Sequence, residues 1–161
     1  MQLFILDYDP AAAAGMLCDS HLRKMCMETA QILSSVIVLK KGSPGEGIPK
    51  PYNLRHPVIR AVDSQEKINW VLSYLFALHR EYFRRYGKRH AYYFLCLKYK
   101  KILYVKCKCS GREKLDFARD FGGIEIPDED LVSAYRKYYR YKKSVLKNWS
   151  YTNSGEPEWL K

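Results

Sequence analysis

CDSHLRKMCMETAQ, from Cys18 to Gln31, carries the clearest periodicity in the chain. Leu22, Met25, Cys26, Thr29, Leu33 and Val36 recur at three- and four-residue steps, the spacing of one buried helix face. Asp19 or Ser20 can cap this helix, because a short polar side chain accepts the orphan N–H groups of a first turn. His21, Lys24 and Glu28 fall on the flank of that face. His21 and Glu28 are two turns apart, and Lys24 and Glu28 are close enough to pair. A rim of this kind either borders a cleft or carries an ordinary surface ion pair.

Outward from this helix, AAAAG at Ala11 to Gly15 can open a short helix after a turn at Asp7, Asp9 and Pro10. Lys40 to Arg55 is dense in Gly and Pro and reads as a loop. Its two lysines precede a Gly-rich turn, so it is either a phosphate contact or a plain surface loop. The order of a P-loop is missing. A second long helix is expected from about Ser64 to Tyr86, with Ile68, Val71, Leu72, Leu75, Leu78, Tyr82 and Tyr86 as its stripe. Arg80, Arg84, Arg85, Lys88 and Arg89 crowd its end, where positive charge suits the helix dipole. A last helix follows Pro127 and Asp128, with Leu131, Ala134, Tyr135 and Tyr138 on one stripe. Two segments read as β instead. Leu3 to Leu6 suggests a short buried strand, and YYFLCL and ILYVKC around KYKK suggest a hairpin over Ala91 to Cys109. The expected fold class is mainly α, with α+β as the alternative: a compact helical domain with a short N-terminal strand and a central β-hairpin. No linker or repeat divides residues 1–161, so a single basic domain is expected.

The charge balance points to the partner. The chain has 28 Lys plus Arg against 17 Asp plus Glu, a net charge of +11 in 161 residues. Such a field draws in polyanions and speeds their encounter. No apolar run reaches the length of a membrane span, and MQLFILDYDP lacks the pattern of a secretory signal. An intracellular location is expected, in the cytoplasm or in a nucleoid or nucleus, with no membrane partner and no obligate protein partner. Five cysteines are an odd number for a disulfide framework. Buried free thiols are the plain reading. Cys18 and His21, joined by Cys107 and Cys109, are the zinc alternative, and would suit a small adaptor for an acidic protein.

The tail is the most basic stretch. Tyr135, Tyr138, Tyr139 and Tyr141 alternate with Arg136, Lys137, Arg140, Lys142 and Lys143. Aromatic rings can stack on bases while the cations between them meet phosphates. Packed tyrosines with snorkelling cations are the competing arrangement. DNA is the expected partner, with RNA second. Arg23, Lys24, Arg84, Arg85, Lys88 and Arg89 are further candidates for the phosphate surface. His56 and His90 are weighed as phosphate contacts, His79 as structural, and Asp7, Asp9 and Glu28 as a magnesium nuclease set.

The run from Cys18 to Gln31 resembles the catalytic helix of phage-type pyrimidine-dimer DNA glycosylases, where a His-Leu pair precedes an essential Glu by seven residues from the His. Here the corresponding residues are His21, Leu22 and Glu28. YRKYYRYK, Tyr135 to Lys142, is similar to the aromatic, lysine-rich DNA-contacting tail of that family. The resemblance implies a DNA glycosylase or glycosylase/lyase that acts on a damaged or modified base without a cofactor or metal. It implies an N-terminal amine as nucleophile, a Schiff-base intermediate, a charge-stabilising and proton-shuttling role for Glu28, and an orienting role for His21. An ordinary α-amine, with a reference pKa of about 8, has a useful neutral fraction near pH 7. The family exposes a small residue by removing Met. Gln2 is bulky enough to hinder that, so Met1 is expected to supply the amine itself. The rival to this chemistry is a non-catalytic DNA- or RNA-binding module.

Overall fold

The structure is a computed structural model that describes residues 1–106, 115–127 and 130–161. Six helices form its frame: α1 (Pro10–Gly15), α2 (Asp19–Lys41), α3 (Pro57–Arg60), α4 (Gln65–Tyr86), α5 (Leu95–Leu103) and α6 (Leu131–Val145). Short 3-10 turns cover Ala91–Phe94 and Glu158–Leu160. The two long helices, α2 and α4, pack against each other, and α1 lies along α4. Side chains set the helix limits. Asp9 caps α1 by accepting the N–H groups of Ala11 and Ala12, and Ser64 caps α4 by accepting from Lys67. Gly42 and Gly87 close α2 and α4 at φ 80° and 65°, a left-handed turn that a Cβ disfavours.

The start of α2 differs from expectation. Cys18 is its N-cap residue, without a side-chain cap. Asp19 points inward instead. Its carboxylate accepts from Arg85 Nη1 at 3.0 Å, Ser150 Oγ at 3.0 Å, and the N–H and Oγ1 of Thr152 at 2.9 and 2.8 Å. Burial pushes the Asp19 carboxyl up, but the hydrogen bonds from Thr152, Arg85 and Ser150 outweigh it and hold it down at about 2. Arg85 also donates to Glu81 at 2.6 Å and to the Gly15 carbonyl at 3.0 Å. This knot fastens the C-terminal segment across the junction of α1, α2 and α4.

The expected β structure is absent: among the described residues there is no strand and no hairpin. Leu3 to Leu6 are buried, as a strand would be, but no partner strand runs beside them. Side chains take up their backbone groups. The Phe4 carbonyl accepts from Tyr74 Oη at 3.5 Å and the Leu6 carbonyl from Arg136 Nε at 2.9 Å; just beyond the segment, the Tyr8 carbonyl accepts from Trp70 Nε1 at 2.7 Å. That pairing satisfies a buried extended segment without a ladder. In place of the hairpin, His90 caps the 3-10 turn and α5 follows, burying Leu95, Cys96, Tyr99 and Leu103 on one helical face. Tyr99 anchors α5 by donating to the Ala30 carbonyl of α2 at 2.7 Å. Cys107 and Cys109, at the end of the expected hairpin, lie outside the described residues.

Candidate active site

The N-terminal segment runs over the flank of α2 that carries Lys24 and Glu28. The Gln2 backbone N–H donates to Glu28 Oε2 at 3.2 Å. Lys24 Nζ stands 3.2 Å from Oε1 of the same carboxylate. Glu28 is 7% exposed while Lys24 reaches into solvent, so the carboxylate sits at the bottom of a basic rim. The three bonds from Gln2 N back to the Met1 amine span at most about 4 Å, which puts the amine within roughly 7 Å of that oxygen. Gln2 is itself held at both ends. Its side-chain amide donates to the Asp120 carbonyl, and its Oε1 accepts the Leu3 N–H at 3.2 Å. Asp120 in turn faces His56, with Oδ2 3.6 Å from Nε2. Tyr52 lies edge-on to His56, on a loop that Ser34 and Ser35 of α2 hold by hydrogen bonds to Pro49 and Tyr52. Sequence reasoning missed Gln2 and Asp120, and weighed His56 only as a phosphate contact. No local pattern marks them, because their roles depend on contacts across 118 and 64 residues.

His21 stands two turns from Glu28 along α2, about 10 Å at 1.5 Å per residue, and does not share its hydrogen bonds. Its Nδ1 is 3.1 Å from Tyr139 Oη, which also accepts the Cys18 N–H at 2.8 Å. The phenol thus links the imidazole to the N-terminal end of α2. The ring packs on Phe4 at 4.7 Å and edge-on to Trp149 at 5.3 Å. Burial, with the positive charges of Lys24 and Lys142, pushes its pKa down to about 4. At neutral pH it is an uncharged group that positions the N-terminal segment through Phe4. Cys18 Sγ is 3.3 Å from Ser20 Oγ, and His21 Nδ1 is taken up by Tyr139.

On α6 three of the four tyrosines face inward. Tyr135 donates to the Ala118 carbonyl at 2.6 Å, Tyr139 belongs to the His21 network, and Tyr138 packs between Phe4 and Phe121. Tyr141 is exposed. Several of the tail's cations also have structural partners. Arg136 donates to the Leu6 carbonyl and faces Asp7 at 3.4 Å. Arg140 donates to the Trp159 carbonyl at 3.0 Å, and Lys143 pairs with Glu156 at 2.6 Å. Lys142 lies over the Tyr138 ring at 5.1 Å, and Lys137 is exposed. Of the basic group on and after α4, Lys88 and Arg89 are exposed, Arg84 pairs with Glu81 at 2.6 Å, and Arg85 is 1% exposed within the Asp19 knot. Arg23 is exposed, with Nε 3.3 Å from the Asp19 carbonyl. Lys24 is the exposed cation in contact with Glu28.

No helix among the described residues is long and apolar enough to cross a membrane. A family model described as pyrimidine dimer DNA glycosylase matches residues 1–93. The match takes in Gln2, His21, Glu28 and His56 and stops before α5 and α6. Neither a curated protein nor a solved structure matches the chain.

Proposed function

Because this chain belongs to the pyrimidine dimer DNA glycosylase family, we propose that it excises a damaged or modified base from DNA through an N-terminal amine. The membership carries a glycosylase-like function in general terms; the residue roles here are our reading. The neutral Met1 α-amine attacks C1′ of the extruded nucleotide. The C1′–N bond breaks with its electron pair leaving on the base, which takes up a proton. The attached nitrogen gives up one proton to Glu28, its lone pair then expels O4′, which takes that proton from Glu28 as the sugar ring opens, and an iminium that keeps one N–H forms at C1′. Loss of a C2′ proton then expels the 3′ phosphate and nicks the strand. Glu28 also stabilises the positive charge that builds at the sugar. Lys24 holds the second carboxylate oxygen and, with Arg23 and Lys142, draws the DNA backbone to the rim.

The Gln2–Glu28 hydrogen bond is the observation that carries this reading, since it keeps the chain's first residues beside a buried carboxylate. Borohydride trapping on duplexes with ultraviolet photodimers and with oxidised or alkylated bases tests it. The expected result is a covalent adduct that peptide mapping assigns to Met1. Protein that binds these duplexes yet traps on none of them defeats the proposal.

A further inference from the structure

Away from the Glu28 rim, Cys26 of α2, His79 of α4 and His90 at the cap of the 3-10 turn converge. One ligand atom from each lies within 4.8 Å of the other two. His79 is 2% exposed, and neither of its ring nitrogens has a hydrogen-bond partner. A neutral imidazole carries one N–H and one lone pair, and leaving both unmet in a core is costly. Its ring neighbours, His90 at 5.6 Å and Tyr93 at 5.8 Å, pack against it without meeting that need.

We propose that Cys26, His79 and His90 bind a divalent cation of the zinc type. Imidazole nitrogen and thiolate sulfur are the donors such ions prefer. The Cys26 thiolate offsets one of the two positive charges of the ion in the buried site. The three ligand atoms must close from their present spacing to bond lengths of about 2.0–2.3 Å, which side-chain rotation on three separate elements allows. His90 gives up one contact on loading. Its Nδ1 now accepts the Tyr92 N–H at 3.2 Å, and a metal-bound imidazole has no second lone pair for that bond. The site ties α2 and α4 to the 3-10 turn that leads into α5. Cys26 and Glu28 are two residues apart on α2 and point to different faces, so the ion has no part in the glycosylase chemistry.

Cobalt titration of the metal-stripped full chain tests the site. The expected result is one equivalent of Co2+ with thiolate-to-metal absorption, displaced by Zn2+, and a Tm raised by at least about 5 °C. Cys26→Ala and His79→Ala abolish the absorption, while Cys18→Ala keeps it. Where Cys26→Ala fails to fold, His90→Ala, at a half-buried turn, serves instead. Binding of less than about a tenth of an equivalent by the folded wild type overturns the proposal, as does full binding by both Cys26→Ala and His90→Ala. Borohydride trapping reads the other proposal independently, because Glu28→Gln leaves the cobalt spectrum unchanged.

Discussion

The backbone N–H of Gln2 donates to Oε2 of Glu28 at 3.2 Å, bridging 26 residues of chain. This bond joins the start of the chain to the helix that carries its buried carboxylate, and the first prediction follows from it. Glu28→Gln keeps an oxygen acceptor for the Gln2 N–H but removes the negative charge. Adduct formation in single-turnover trapping is expected to slow by about 100-fold or more. Affinity for the same duplex, read by fluorescence anisotropy, is expected to stay within about threefold. An unchanged trapping rate means that Glu28 is only the surface partner of Lys24, a pair worth about 0.2–1 kcal/mol.

Asp19 and Arg85 form a buried ion pair at 3.0 Å, sharing partners with Glu81, Ser150 and Thr152. Asp19→Ala leaves the buried guanidinium with Glu81 as its remaining carboxylate partner, and leaves Ser150 and Thr152 without their acceptor. Urea denaturation is expected to show a loss of about 3–5 kcal/mol. A loss below about 1 kcal/mol means that the knot adds little. The Asp19 carboxyl is held at about 2 in the folded chain, below its unfolded value. Its share of stability is therefore complete above about pH 4 and is lost as pH falls through 2.

His21 gives a second pH window with the same sign. The unfolded imidazole takes up a proton below about 6.5, whereas the folded one stays neutral until about 4. Stability should fall as pH drops from 6.5 towards 4, by on the order of 3 kcal/mol from this group at 1.36 kcal/mol per unit. Nitrogen NMR should find the His21 ring neutral at pH 5. A midpoint near 6.5 contradicts the buried network around Tyr139.

Lys142 and Arg136 sit six residues apart on α6 and should behave differently. Lys142 lies over Tyr138 beside the rim, and removing it should weaken DNA binding and lower the slope of log affinity against log salt by about 0.9. Arg136 donates to the Leu6 carbonyl beneath the N-terminal segment. Arg136→Ala should cost about 1.5–3 kcal/mol of stability. Equal effects of the two variants on the salt slope and on denaturation midpoints contradict this division.

Both long helices were legible as sequence because their apolar residues recur at 3.6-residue spacing over five or six turns, where burial repeats with the pattern. His21 and Glu28 stood out for the same reason, as a pair on the flank of a readable face. Leu3 to Leu6 read as a strand because an apolar run of four does not say what will satisfy its backbone. The side chains that do so, Tyr74 and Arg136, come from distant helices. The segment after His90 alternated well enough to pass for a hairpin, yet Tyr99 and its bond to Ala30 fit only a helix packed on α2.

The sequence by itself determined the charge of the chain, its two long helices and the basic last helix, and the order of His21 and Glu28 on one helix. These are local properties, set by composition and periodicity. Only the tertiary structure decided which polar groups face each other. It turned Arg85 and three tail tyrosines inward, brought Gln2 against Glu28, and gathered Cys26, His79 and His90 from three elements. Those arrangements rest on contacts between residues far apart in the chain, and such contacts leave no period to read.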